Sequence, residues 1–221
     1  MYVLTLVTQK GGSGKSTLAV GIAVAAVGNG ERVAIVDADP QGTISKWIER
    51  RGHPHPRVVR VADPAEIEGA LVSLEAEGIR LTVIDTAATN NALAMRAIAR
   101  ADLCLIPVRP SPADIEAAIP TLIAIRRLSR RFAFVLNQTP ARGCRLSEAA
   151  TSLNSLGVLA LPYVGQRNDH QDALGAGLGV TEFAQEGRAS EEIHELWRWV
   201  LKTLVEGSSD HEPHPSEKSA H

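Results

Sequence analysis

The chain has 221 residues, 44% hydrophobic and 22% charged, enough for one well-cored globular domain. A formal net charge of −2 excludes a protein coated in basic residues but leaves room for a local basic face. Its two cysteines, Cys104 and Cys144, cannot build a disulfide scaffold and show no metal-ligand spacing, so a reducing cytoplasm is the expected setting.

Tyr2–Thr8 is apolar and β-branched and runs straight into glycines. It lacks the basic start and cleavage site of a leader, so a buried strand is expected. A helix follows over Lys15–Gly28, closed by Asn29-Gly30 as a left-handed cap. Further strands are expected at 32–37, 58–61, 81–85, 103–107, 132–137 and 158–161, with helices at 43–50, 64–77, 91–99, 113–128, 146–155 and 191–205. Asp63 before Pro64, with Glu66 following, reads as a helix start, whereas Pro120 predicts a kink or break in an otherwise apolar helical pattern. Several strands are apolar on both faces, as when helices cover both sides of a parallel sheet. The expectation is an α/β fold with a mainly parallel twisted sheet of about seven strands, forming one domain over residues 1–206. Residues 207–221, polar and proline-containing, read as a disordered tail. No apolar run approaches the roughly 20 residues that span a bilayer.

Three motifs carry chemistry. Gly11, Gly12, Ser13 and Gly14, between a strand and a helix and followed by Lys15-Ser16-Thr17, form a phosphate-binding loop, the mark of a P-loop NTPase. Lys15 is placed for the β- and γ-phosphates, Ser16 for Mg²⁺ and Thr17 for the α-phosphate. A second lysine, Lys10, stands at the loop's mouth, where a solvated lysine is the simplest reading of the residue alone. Asp37 and Asp39 end the next strand. They fit either a metal-and-water role or a capping Asp followed by a turn. Asp85 ends an apolar strand, placed to reach Mg²⁺ through water.

Taken in this order, the motifs resemble a family. Lys10–Thr17 is similar to the deviant Walker A box of the ParA/MinD ATPases, Asp37-Ala-Asp-Pro-Gln-Gly42 to their second box, and Asp85-Thr86 to their Walker B. Pro107–Asp114 resembles the PVxPSPxD segment of ParA-type partition proteins. Phe134–Asn137 resembles the strand whose Asn faces the adenine, and Gln166-Arg167-Asn168 the later loop at the base. The resemblance is closest to the short, ParF-like members. It implies ATP and Mg²⁺ as ligands, a homodimer on ATP binding in which Lys10 reaches the partner's phosphates, and catalytic roles for Lys10, Lys15, Asp37, Asp39 and Asp85. Ser16, Asp39 and Asp85 would serve the metal. Two departures stand out: Ala87-Ala88 where many relatives have two prolines, and His170 where the family pattern has a second arginine.

Between Ala117 and Ser147 lie Arg126, Arg127, Arg130, Arg131, Arg142 and Arg145, without one acid, whereas acids crowd 63–77 and 182–195. That asymmetry points to a basic face for phosphates of duplex DNA without base reading, with Arg167 as a further candidate. The ordinary alternative is a solvated helix end. The resemblance adds a cargo-bound, ParB-like activating partner and a nucleoid-associated setting. The C-terminal stretch has no basic amphipathic stripe of the kind MinD-like members use on membranes. A localisation switch with little turnover, and a dethiobiotin- or cobyrinate-synthase-like enzyme, are the competing readings. Lys10 and the arginine-rich segment speak against the second.

Overall fold

The computed structural model describes residues 1–89, 91–140 and 145–209, without the side chains of 208 and 209. Strands β1 (Tyr2–Leu6), β2 (Val33–Ala38), β3 (Arg57–Arg60), β4 (Leu81–Thr86), β5 (Leu103–Val108) and β6 (Phe132–Leu136) form one sheet in the order β3-β2-β4-β1-β5-β6. Every pairing is parallel. Helices α1 (Lys15–Gly28), α2 (Thr43–Arg50), α3 (Glu66–Ala76), α4 (Ala92–Arg100), α5 (Pro112–Arg127) and α6 (Arg145–Leu156) alternate with the strands, and α7 (Asp169–Gly175), α8 (Val180–Phe183) and α9 (Arg188–Ser209) complete the chain.

The strands bury both faces because helices cover both. Leu4 and Leu6 point to a cluster containing α1 and α9, with Trp47 and Trp197 fully enclosed. Val3 and Val7 point to the opposite face, among residues of α3–α6. A parallel sheet covered in this way sends all its strand ends to one edge, where ligands of open α/β folds bind.

Six strands replace the expected seven. Residues 158–164 track the edge of β6 through bonds from Phe134 N–H to the Val158 carbonyl (2.8 Å) and from Ala160 N–H to the Phe134 carbonyl (2.8 Å). The pairing amounts only to isolated bridges. Pro162, with no N–H to give, interrupts the ladder. Pro120 does not break α5; it and Glu116 are both exposed, so water can serve the carbonyl that the proline leaves free. Helix α3 starts two residues later than expected, with Ala65 and not Asp63 at its N-cap; Asp63 Oδ1 instead accepts from Ala65 N–H in the preceding turn, and Glu66 reaches back to the N–H groups of Ala62 and Asp63. Gly30 takes the left-handed cap conformation after α1, at φ +86°. Helix α9 runs to Ser209, past the expected domain end at 206; residues 210–221 lie outside the described residues.

One buried ion pair ties the lower half of α2 to the α7–α8 segment. The Arg51 guanidinium, 1% exposed, donates twice to Glu182 at 2.8 Å, once to the Gly177 carbonyl and once to the His55 carbonyl. It also lies over the Trp47 ring, whose Nε1–H donates to the Leu178 carbonyl. Burial would raise the Glu182 carboxyl, but its bonds from Arg51 and from Gly179 N–H outweigh that and hold it below its usual range. A depressed carboxylate contributes stability above its unfolded value and loses it as pH falls. Wild type and Glu182→Gln should therefore differ in urea midpoint at pH 7 and converge as pH falls through the lowered pKa of the Glu182 carboxyl. Arg51→Met should cost about 3 kcal/mol by urea titration, since it strands a carboxylate and two carbonyls together.

Candidate functional site

The cleft lies at the carboxyl ends of β1, β2 and β4. It has a volume of about 510 Å³ and is walled by the glycine loop, Asp39–Gln41 and Ala87–Thr89. The loop departs from β1 and opens α1, with Gly12 at φ +73° and Gly14 at φ +91°, conformations that glycine adopts without cost. The N–H groups of Gly12, Ser13 and Gly14 find no acceptor among the described residues, as a cradle for an anion requires. Gly14 also has no room for a side chain, since an added Cβ would stand 2.3 Å from Asn137 Nδ2.

Lys15 is buried at the floor of the cleft. Desolvation lowers its pKa, against the pull of Asp85 and Asp39. Ser16 Oγ–H donates to Asp85 Oδ2 at 2.6 Å, while Asp85 Oδ1 is buried with no partner among the described residues. Desolvation pushes Asp85 up to about 7, opposed by Ser16 and Lys15 and reinforced by Asp37 and Asp39. This donor set fits magnesium held jointly with nucleotide phosphates: a hydroxyl, a buried carboxylate with an idle oxygen, and a second carboxylate opposite. Among the described residues no group of three or more His, Cys, Asp or Glu forms a metal cage of its own. Magnesium so held would neutralise phosphate charge; Ser16 would face it directly and Asp85 through water.

The two carboxylates of the second motif part company. Asp37 is fully buried, its Oδ2 accepting from Ser45 N–H (2.8 Å) and Ser45 Oγ–H (2.6 Å) and its Oδ1 from Asp39 N–H (3.3 Å). Both Asp37 oxygens thus hold the turn into α2. Asp39 is half-buried and lines the cleft, with Oδ1 accepting only the Gln41 N–H.

Lys10 sits at the rim, half-buried, and makes no ion pair among the described residues. The main chain beneath it is pinned, with Gln9 N–H donating to Thr121 Oγ1 and Lys10 N–H to Thr8 Oγ1. Nearby, Asp114 is lowered although burial would raise it: hydrogen bonds from Ser111 and Arg109 and the charges of Arg109 and Lys10 outweigh desolvation. These contacts tie together the Arg109–Asp114 turn that opens α5.

Asn137, expected at the adenine, gives one amide N–H to the Ser13 carbonyl at 2.8 Å. Arg167, expected at the base and on DNA, is paired with Glu192 at 2.6 Å, and Glu192 also accepts the Gly165 N–H. His170 is buried, its Nε2 unpartnered among the described residues and its pKa lowered by desolvation. The arginine-rich segment does not make one face. Helix α5 starts beside the phosphate loop and ends at the opposite pole, where Arg126, Arg127, Arg130 and Arg131 gather, while Arg145 opens α6 beside Ser111 and Glu148. Arg142 and Cys144 lie outside the described residues.

A family model described as the CobQ/CobB/MinD/ParA nucleotide binding domain matches residues 4–180. The chain belongs to the ParA/MinD family. Among curated relatives, "Maintenance of carboxysome distribution protein A" of Halothiobacillus neapolitanus is 29% identical over 213 residues, covering 90% of this chain and 96% of that protein. "Protein virC1" of Rhizobium radiobacter is 30% identical over 186 residues, 80% of each chain. Among solved structures, the septum site-determining protein MinD of Pyrococcus horikoshii, complexed with Mg-ADP, superposes with a TM-score of 0.76 at 16% identity, covering 93% of this chain and 98% of that one. The protein is thus a ParA/MinD-type P-loop ATPase that uses ATP and Mg²⁺. No helix among the described residues is long and apolar enough to cross a membrane.

Gly14→Ala should lower stability by about 2 kcal/mol by forcing a Cβ into Asn137, and should abolish Mg-ADP binding in calorimetry. Lys15→Ala, which leaves the packing of Asn137 intact, should abolish binding while melting close to wild type.

Proposed function

We propose that the protein is a ParA-type ATPase that forms an ATP-sandwiched homodimer, binds DNA without sequence preference in that state, and hydrolyses ATP to partition or position a cargo. Lys10 carries this reading: it is a cation without an ion pair among the described residues, standing on a pinned backbone at the mouth of a cleft already served by Lys15. Two triphosphates brought face to face need more positive charge than one lysine each supplies, and in this reading Lys10 adds it to a partner's site. In this reading Asp39, the carboxylate left free to face the cleft, orients the attacking water, while Asp85 supports the metal. The relatives, one named for carboxysome distribution and others for chromosome partitioning, support a positioning role.

The DNA surface we assign is the pole bearing Arg126, Arg127, Arg130 and Arg131. All four are exposed and none is paired with a carboxylate among the described residues. Arg126 and Arg131 each give one N–H to a main-chain carbonyl, of Leu156 and Thr203 respectively, which fixes the guanidinium and leaves its other donors to solvent. Asp102 is the acid nearby, and its Oδ2 is occupied by Val3 N–H. A partner bound to the cargo, ParB-like or another adaptor, would stimulate turnover and place the protein on the nucleoid.

Light scattering with ATP and with ADP tests the dimer, which should form only with ATP and be abolished in Lys10→Ala; a wild type that stays monomeric in ATP overturns the reading. Asp39→Ala should slow hydrolysis about a hundredfold and accumulate as the ATP dimer on DNA; rapid turnover would remove Asp39 from water positioning. Replacing the four arginines by Ala should weaken binding to unrelated duplexes uniformly and flatten its salt dependence by about one unit for each phosphate no longer neutralised. Unchanged binding would move the DNA site elsewhere.

A further inference from the structure

We propose that Gln138 is a positioning residue for phosphate binding, its side-chain amide joining that of Asn137 to hold two successive carbonyls of the phosphate loop turned away from the cleft. Gln138 Nε2–H donates to the Gly12 carbonyl at 2.8 Å, and Asn137 Nδ2–H donates to the Ser13 carbonyl at 2.8 Å. A trans peptide group is planar, with its C=O and N–H pointing in opposite directions. Fixing the Gly12 carbonyl toward β6 therefore aims the Ser13 N–H the other way, and fixing the Ser13 carbonyl does the same for the Gly14 N–H. Those two N–H groups have no acceptor among the described residues. Gln138 and Asn137 thus set in advance the direction of donors that a phosphate would otherwise have to organise on binding.

The backbone shows that this grip is built. Along a strand, neighbouring side chains point to opposite faces, so Asn137 and a Gln138 in extended conformation could not reach the same loop. Gln138 instead takes φ +53°, in the left-handed region that a residue with a Cβ occupies only at a cost. The turn swings its amide to the side of Asn137. Gly14 completes the contact: a Cβ there would lie 2.3 Å from Asn137 Nδ2 and 3.5 Å from Gln138 Nε2, so loop and amides are packed against each other. The strained backbone, the second amide and the side-chain-free glycine make one device.

The inference rests on the reading of Gly11–Thr17 as the phosphate loop, and the experiment separates the two. Mg-ADP affinity is measured by calorimetry, and apo melting by circular dichroism, for wild type, Gln138→Ala, Gln138→Gly and Lys15→Ala. Both Gln138 variants should bind Mg-ADP about tenfold more weakly, as removal of one amide hydrogen bond in the cradle implies, and their ATPase KM should carry most of the change. Their melting temperatures should diverge, with Gln138→Gly above Gln138→Ala because glycine sheds the left-handed strain. Affinity would then follow the amide and stability the backbone. Wild-type affinity in Gln138→Gly, or affinity that recovers in step with melting temperature, overturns the proposal. If Lys15→Ala binds Mg-ADP like wild type, the phosphate-loop reading itself fails. If Lys15→Ala does not bind while both Gln138 variants bind like wild type, only the role of Gln138 fails.

Discussion

Asp37 and Asp85 sit directly opposite each other on neighbouring parallel strands, both fully buried. Two carboxylates at the same level of a sheet, with Asp39 close by, repel one another and have given up their water. The surroundings answer that conflict. Ser45 satisfies Asp37 with two donors, Ser16 satisfies one oxygen of Asp85, and Lys15 supplies the positive charge. What stays unsatisfied among these groups is one oxygen of Asp85, beside the Ser16 hydroxyl at the start of α1. The nucleotide site is therefore the remainder of an electrostatic problem that the sheet creates and the protein resolves only in part.

Much of this is legible in the chain alone, for physical reasons. A glycine loop between an apolar strand and a helix has few alternatives, and strands buried on both faces require helices on both sides. The division of labour between Asp37 and Asp39 is not legible, because spacing of two fits a turn and a site equally. In the structure both carboxylates hold the turn, Asp37 through Ser45 and Asp39 through Gln41 N–H, and Asp39 alone of the two also lines the cleft. Helices α7 and α8 escape a reading of the sequence because Leu174–Gly179 is dense in glycine and reads as loop. Two of those glycines serve close approach instead: a Cβ on Gly177 would lie 2.6 Å from the Arg50 carbonyl carbon, and one on Gly179 would lie 2.6 Å from Val24. Gln138 is invisible because nothing in a sequence announces that one residue past a strand will turn left-handed.

The arginine-rich segment teaches a different lesson. Its lack of acids is a property of the chain, but a helix running the depth of the sheet carries one end of the segment to the nucleotide edge and the other to the far pole. Charge counted along a sequence becomes a surface only after topology has distributed it. Arg145 and the Arg126–Arg131 group therefore face different surroundings and can answer to different ligands. Arg167 shows the same point at short range, because a single glutamate, 25 residues later, pairs with it.

The Arg51–Glu182 pair connects two parts of the site that have no motif in common. Helix α2 begins just after the Asp39 turn, and α7 begins just after the loop at 166–168, which is hydrogen-bonded to Thr139 at the end of β6. With the far end of α2 bolted to the α7–α8 segment, neither can fray alone. In native-state hydrogen exchange, the amides of α2 and α7–α8 would open as one cooperative unit, at a lower free energy than the central strands. Loosening of the cleft wall that leads into α2 would then carry a segment outside the cleft with it, as a single event with one rate.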